Sequence, residues 1–246
     1  MRITKPIIVL SLTGIFMLPT LSFCSYSPSI LNWVRYGDID QEVSNAEAAI
    51  YSLVPGATIT RSTTDSAAQL ASELSGKDVF LISECEEGIY QGEGTIFAPV
   101  LSDFVSQGGV VIQCNSGIWG VDVLGDAGLM TRSYIGTTAS GTGTLELPGH
   151  PLAYGLGATV QMADATEYWS TTDPDVDIVV SYSQPSYGVL MSTQVGSGWV
   201  IGIGYDYFDR NSDADRMIAN AVCIPEPGMI CLLGLGSMAL LRRRRK

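Results

Sequence analysis

Two short runs, Val79-Phe-Leu-Ile82 and Val110-Val-Ile112, are apolar at every position. A strand with one wet face alternates apolar and polar residues. A strand that is apolar throughout is covered on both faces, as in a parallel sheet sandwiched between helices. The segment between the two runs supplies a covering helix over residues 96–105, ending at Gly108-Gly109. The same alternation runs upstream. A strand at 29–34 is followed by a helix at 42–53 with Val43, Ala46, Ala49, Ile50 and Leu53 on one side. A strand at 57–61 and a helix at 66–74, capped by Asp65, complete the series. This order predicts an α/β fold with a doubly wound, mostly parallel sheet and helices on both faces.

The second half changes character. Residues 133–148 are rich in Thr, Gly and Ser and read as a β-rich excursion. Strands are expected at 160–162, 178–182 and 189–194, and a hairpin turn at Val195-Gly-Ser-Gly198 leads into a strand at 199–204. A closing helix spans 213–222, with Ser212-Asp-Ala-Asp215 as an acidic capping box.

Both ends of the chain differ from this domain. Arg2 and Lys5 precede an apolar stretch at 7–18 and small residues at Ser22 and Ser25, the pattern of a secretory signal peptide over residues 1–24. Phe23 stands where a lipoprotein box before Cys24 needs a small residue. At the other end, Pro225-Glu226-Pro227 precede the uncharged run 228–241 and then Arg242, Arg243, Arg244, Arg245 and Lys246. The run would make a helix of about 21 Å against a hydrocarbon core of about 30 Å. Basic side chains at its end snorkel and hold it as a stop-transfer element. The two prolines separate it from the domain.

The order of Pro-Glu-Pro, apolar run and arginine cluster over the last 22 or so residues resembles the PEP-CTERM sorting signal. The resemblance implies recognition by a membrane-embedded exosortase, transient anchoring in the inner membrane, cleavage, and delivery to the cell envelope or extracellular matrix. Exopolysaccharide or other envelope components are then the expected surroundings. A single domain is expected over residues 25–224. It keeps six of the 13 basic residues and 24 of the 25 acidic ones, so its charge is about −18 against −12 for the whole chain. Such a surface repels nucleic acid and attracts divalent cations.

A second resemblance runs through the domain. Asp103-Phe-Val-Ser-Gln-Gly-Gly-Val-Val-Ile112, Gly149-His-Pro-Leu-Ala-Tyr-Gly155, Thr166-Glu-Tyr168, Gln194-Val-Gly-Ser-Gly-Trp-Val-Ile-Gly-Ile-Gly-Tyr-Asp206 and Arg216-Met-Ile-Ala-Asn220 follow in order. Together they are similar to the class I glutamine amidotransferase-like superfamily, near its trehalose-utilisation-like branch. The resemblance implies a flavodoxin-like architecture. It also places Cys114 where an amidotransferase nucleophile stands, with His150, the chain's one histidine, as its partner. Gln113 replaces the glycine expected before that cysteine, and no His-x-Glu follows late in the chain. Fold alone does not assign the activity.

Two further readings concern side chains at strand ends. Cys85 and Cys114 end strands expected to be neighbours, close enough for a disulfide in an exported protein. Asp38, Glu84, Glu86, Glu167, Asp206 and Asp209 follow or flank strands, where a doubly wound sheet binds ligands. They are read as a solvated acidic face, a site for Ca²⁺ or Mg²⁺, or a carboxylate pair for glycoside chemistry. Asp209-x-Asn211-x-Asp213-x-Asp215 lacks the glycine and terminal glutamate of a calcium loop, with Ala214 and Asn220 in their places. No cofactor is expected beyond such a cation. Tyr168 and Trp169 beside Glu167 are candidates for stacking on a sugar. Three functions follow from these patterns: a non-catalytic binding or structural module, a carbohydrate-active enzyme or sugar binder, and a thiol hydrolase acting through Cys114. The first is the expected one.

Overall fold

The computed structural model describes residues 26–116 and 121–224. The signal peptide, Cys24, the Pro225–Pro227 motif and the basic tail lie outside the described residues. The first half alternates strand and helix as its apolar periodicity predicts: β1 (Ser29–Trp33), α1 (Glu42–Leu53), β2 (Thr58–Ser62), α2 (Ala67–Glu73), β3 (Val79–Ile82), α3 (Glu93–Ser106) and β4 (Val110–Gln113). A short helix α4 (Val123–Asp126) leads into β5 (Ser133–Thr138), β6 (Gly141–Leu145), β7 (Thr159–Met162), β8 (Thr166–Ser170), β9 (Asp177–Tyr182), β10 (Gln184–Val195) and β11 (Gly198–Ile203). Helix α5 (Ser212–Val222) closes the domain.

All the strands belong to one sheet, in which β2-β1-β3-β4-β11-β10-β9-β6-β7 lie side by side and β8 pairs with β10 and β5. The block β2-β1-β3-β4-β11 is parallel, and β10, β9, β6 and β7 continue it antiparallel. The expected flavodoxin-like arrangement therefore holds for the parallel block, and the β-rich excursion extends the same sheet rather than forming a second one.

Side-chain alternation divides the core. Ile30, Val79, Leu81, Ile112 and Ile201 pack with Ala49 and Ile50 of α1 and Met217 and Ile218 of α5. Leu31, Phe80, Ile82, Val111 and Val200 pack on the other face with Leu70 of α2 and Phe97 and Leu101 of α3. Both faces are covered over β3 and β4, which is why these strands carry no polar alternation, whereas the edge strand β2 is exposed at three of its five residues.

Three local expectations are corrected. Ser66, not Asp65, caps α2 by accepting from the Gln69 amide. Asn211, not Ser212, caps α5, accepting from the amides of Asp213 and Ala214. Helix α3 begins three residues earlier than its apolar spacing suggests, because Glu93 and Gly94 at its start are buried. Strand β8 carries no period-2 signal of its own.

Candidate functional site

In the order β2-β1-β3-β4 the chain leaves β1 toward one face and β3 toward the other. The loops after β1 and β3 therefore diverge and open a crevice beyond the strands' carboxyl ends, where sheets of this kind take ligands. In this protein the crevice is lined with acids. The β1 loop stays close to the β3 loop because residue 37 is glycine: a Cβ there would lie 2.7 Å from Val43 Cγ2 and 3.1 Å from the Glu84 carbonyl oxygen. The Glu87 amide donates to the Tyr36 carbonyl at 2.7 Å and fixes the two loops together. The Val43 amide donates to the Asp38 carbonyl at 3.1 Å, which places Glu42 at the entry to α1, directly after the β1 loop. Asn45 Nδ2 donates to the Tyr207 carbonyl at 2.9 Å and Arg210 donates to the Asn45 carbonyl at 3.0 Å, tying α1 to the loop after β11. Asp38, Glu42, Glu84, Glu86 and Asp206 are thereby collected around one opening.

Burial and mutual charge shift these groups in one direction. Glu84 is 2% exposed, and burial holds its carboxyl well above the usual carboxylate range. The charges of Asp206, Glu86, Glu42 and Glu167 push it further in the same direction. Glu42 is 3% exposed and is pushed up to about 7, first by burial and then by Glu86, Asp38 and Asp206. Glu86 and Asp206 are raised by burial and by neighbouring acids; for Asp206, hydrogen bonds from the Phe208 amide and from the Glu84 carboxyl oppose the rise. One oxygen of Glu84 and one of Glu42 are buried without a hydrogen-bond partner among the described residues. Glu42 escaped sequence reading. The signal for it was available: an acid at the first position of a helix that starts four residues after Asp38.

Glu167 stands at the side of the crevice and is held. The Ser116 amide donates to it at 2.9 Å and the Ser116 hydroxyl at 2.6 and 2.7 Å, while burial raises its carboxyl against those bonds. Its strand passes so close to β11 that a Cβ on Gly204 would overlap the Glu167 carbonyl oxygen. Asp209 is exposed and acts on the crevice only through the charge it adds beside Asp206.

The thiol arrangement is not assembled. Cys114 is 1% exposed, and burial, with the charge of Glu84 beside it, drives its thiol upward, away from thiolate. His150 caps the 3-10 turn Pro151–Ala153, accepting from the Leu152 amide, and its Nε2 lies 3.3 Å from Ser192 Oγ on β10. Two strand spacings of about 4.8 Å separate β10 from β4. Ser192 is also level with Ile201 and hence with Ile112, two residues short of Cys114. The pair is well outside the ~3 Å that proton transfer needs. The candidate Cys85–Cys114 bridge is likewise not made, and the alternative of two free thiols holds: both are free and buried. They end adjacent strands but face opposite sides of the sheet, Cys114 toward α5 and Cys85 toward α3.

The aromatic pair also separates. Trp169 is buried beneath Arg132, whose guanidinium lies 4.2 Å from the ring centroid. Tyr168 stacks with Tyr187 and Tyr182 at centroid distances of 5.7 and 5.2 Å. Because neighbours on a strand point to opposite faces, Tyr168 and Glu167 do not share a ligand surface. Away from the crevice, a cleft of about 510 Å³ opens between α2 and α3 at the amino-terminal edge of the sheet, lined by Leu74, Lys77, Val100 and Phe104 among others. Among the described residues no three His, Cys, Asp or Glu side chains are grouped to hold a metal ion, and no helix is long and apolar enough to cross a membrane.

Residues 224–246 match the PEP-CTERM protein-sorting motif. The motif marks an exported protein, sorted through the membrane-associated exosortase system toward the cell envelope or extracellular space. No curated protein matches the sequence. Solved structures share the fold at low identity. A ThuA-like protein from Bacteroides uniformis is 11% identical at a TM-score of 0.55, covering 83% of this chain and 95% of its own. A cytoplasmic protein from Salmonella typhimurium is 11% identical at 0.56, covering 79% and 97%. A β-galactosidase from Bacillus circulans is 12% identical at 0.55, covering 80% of this chain but 30% of its own. The domain thus has the fold of ThuA-like proteins, in agreement with the resemblance in the sequence.

Proposed function

We propose that the chain is an exported ligand-binding module whose site is the acid-lined crevice between the β1 and β3 loops. In this reading residues 25–224 are one working domain and the tail serves only sorting. The observation that carries it is the pair of buried, unpartnered carboxyl oxygens on Glu84 and Glu42 at the sheet's switch point. Leaving a buried polar atom unsatisfied costs about 1–3 kcal/mol, so such atoms mark places where a partner belongs. Thiol catalysis has no comparable support, since Cys114 lacks its histidine within reach and its sulfur is buried. The sugar-binding alternative loses its aromatic platform with the burial of Trp169 and the divergence of Tyr168 from Glu167.

The test is a thermal-shift screen of the exported protein against small cations, amino acids and saccharides, repeated on Glu84→Gln and Cys114→Ala. Ligand stabilisation that disappears in Glu84→Gln and persists in Cys114→Ala is the expected result. Hits indifferent to Glu84, or turnover of amide or ester substrates that depends on Cys114, would overturn the proposal.

A further inference from the structure

The crevice has a definite chemical character. Five carboxyl groups, Asp38, Glu42, Glu84, Glu86 and Asp206, face it from three separate segments, and the charges that act most on Glu42 and Glu84 are all carboxylates. The arginines nearby are engaged elsewhere. Arg35 pairs with Asp65 at 2.9 Å, Arg132 with Asp122 at 2.7 Å, and Arg210 with Asp215 at 3.1 Å. Mutual repulsion among buried acids is tolerated where a bound positive charge relieves it. Glu84 and Glu42, 2% and 3% exposed, each bury one carboxyl oxygen without a hydrogen-bond partner among the described residues.

The spacing of the acids discriminates between kinds of cation. A calcium ion takes six to eight oxygens at about 2.3–2.6 Å around one point. No three acidic side chains among the described residues are drawn together in that way. The carboxylates instead come from separate segments: the start of α1, the β3 loop and the loop after β11. Ammonium and guanidinium groups reach carboxylates at about 2.7–2.9 Å through directed N–H bonds, and so can serve acids carried on separate segments without drawing them to one point. Their several donors also match acceptors that otherwise have none.

We propose that the crevice binds a small organic cation through a primary ammonium or guanidinium group, with Glu84 and Asp206 as its principal acceptors and Glu42 as a third. This rests on the crevice being the ligand site, as proposed above, and adds the class of ligand. The buried carboxyls would then exchange protons for the ligand's N–H groups.

Isothermal titration of the exported protein with 1,4-diaminobutane tests it, with 1,4-butanediol as the neutral isostere and calcium chloride as the competing cation. The diamine should bind saturably and the diol should not. Glu84→Gln and Asp206→Asn should each weaken diamine binding at least tenfold, while Asp103→Asn, on α3 at the far edge, should leave it unchanged. These variants keep side-chain shape and remove repulsion, so loss of folding is not expected; Glu42→Gln is the reserve variant. Stoichiometric calcium binding that excludes the diamine would overturn the organic-cation assignment while leaving the crevice as the site. Equal binding of the diol would do the same. Diamine binding unaffected by all three crevice variants would overturn both readings.

Discussion

Glu84 sits at the end of a strand whose preceding residues are all buried, so its carboxyl has no route to bulk water along the chain. Protonation is how such groups remain inside a fold. The consequence for stability follows from linkage. Glu42 has a folded-state value of about 7 against an ordinary 4.5, so the folded protein holds this proton where the unfolded chain releases it. Its contribution is complete below about pH 4.5 and is lost as pH rises through about 7. Glu84, Glu86 and Asp206 shift in the same direction. The melting temperature of the ligand-free protein is therefore expected to fall between pH 5 and pH 8. Glu42→Gln should flatten that fall and exceed the wild type at pH 8 by about 1 kcal/mol, after allowing for solvent screening. Calorimetric melts across the range check both. A profile that rises toward pH 8 would contradict the assignment. The sulfur chemistry is checked separately: iodoacetamide should leave Cys85 and Cys114 unlabelled in the folded protein and modify both after denaturation.

At the scale of elements, the parallel block was legible because its physics is local. Each of β1, β3 and β4 is a short run buried on both faces, and each helix between them announces its apolar stripe. The antiparallel half was legible only in outline. Strand β8, Thr-Glu-Tyr-Trp-Ser, carries buried Glu167 and Trp169 on one side, and both are satisfied by groups distant in sequence, Ser116 and Arg132. No period in the sequence reports such partners. The crevice was half legible: acids at strand ends could be listed, but their convergence depends on Gly37 and Gly204 letting backbones approach. That dependence is testable. Gly204→Ala drives a methyl into the Glu167 carbonyl and is expected to cost about 1–3 kcal/mol or more. Asn211→Ala removes the cap of α5 and is expected to cost about 1 kcal/mol. Denaturant unfolding of the two variants should keep that order.

At the scale of the whole molecule, the two chain ends of the domain meet. The Tyr26 hydroxyl donates to the Val222 carbonyl at 3.2 Å, which brings the beginning of the described chain to the last turn of α5. Cys223, the next residue, is disulfide-bonded, and its partner lies outside the described residues. With Cys85 and Cys114 free, Cys24 and Cys231 are the two cysteines that remain. They predict different fates for the sorted protein. A bond to Cys231 would keep the tail attached through sulfur after cleavage at the Pro225–Pro227 motif. A bond to Cys24 requires the signal peptide to be cut before that residue rather than after it; the bond would then close the released domain into a covalent ring that resists fraying at both ends, and would exclude Cys24 as a lipid attachment point. The contact between Tyr26 and Val222 favours the ring. The unreduced mass of the exported protein is therefore expected to correspond to a chain that still includes Cys24 and ends near Pro225, with one disulfide and two free thiols. Reduction should add two hydrogens without releasing a peptide. Release of a tail fragment on reduction would assign the bond to Cys231 and make the tail a retained part of the mature protein.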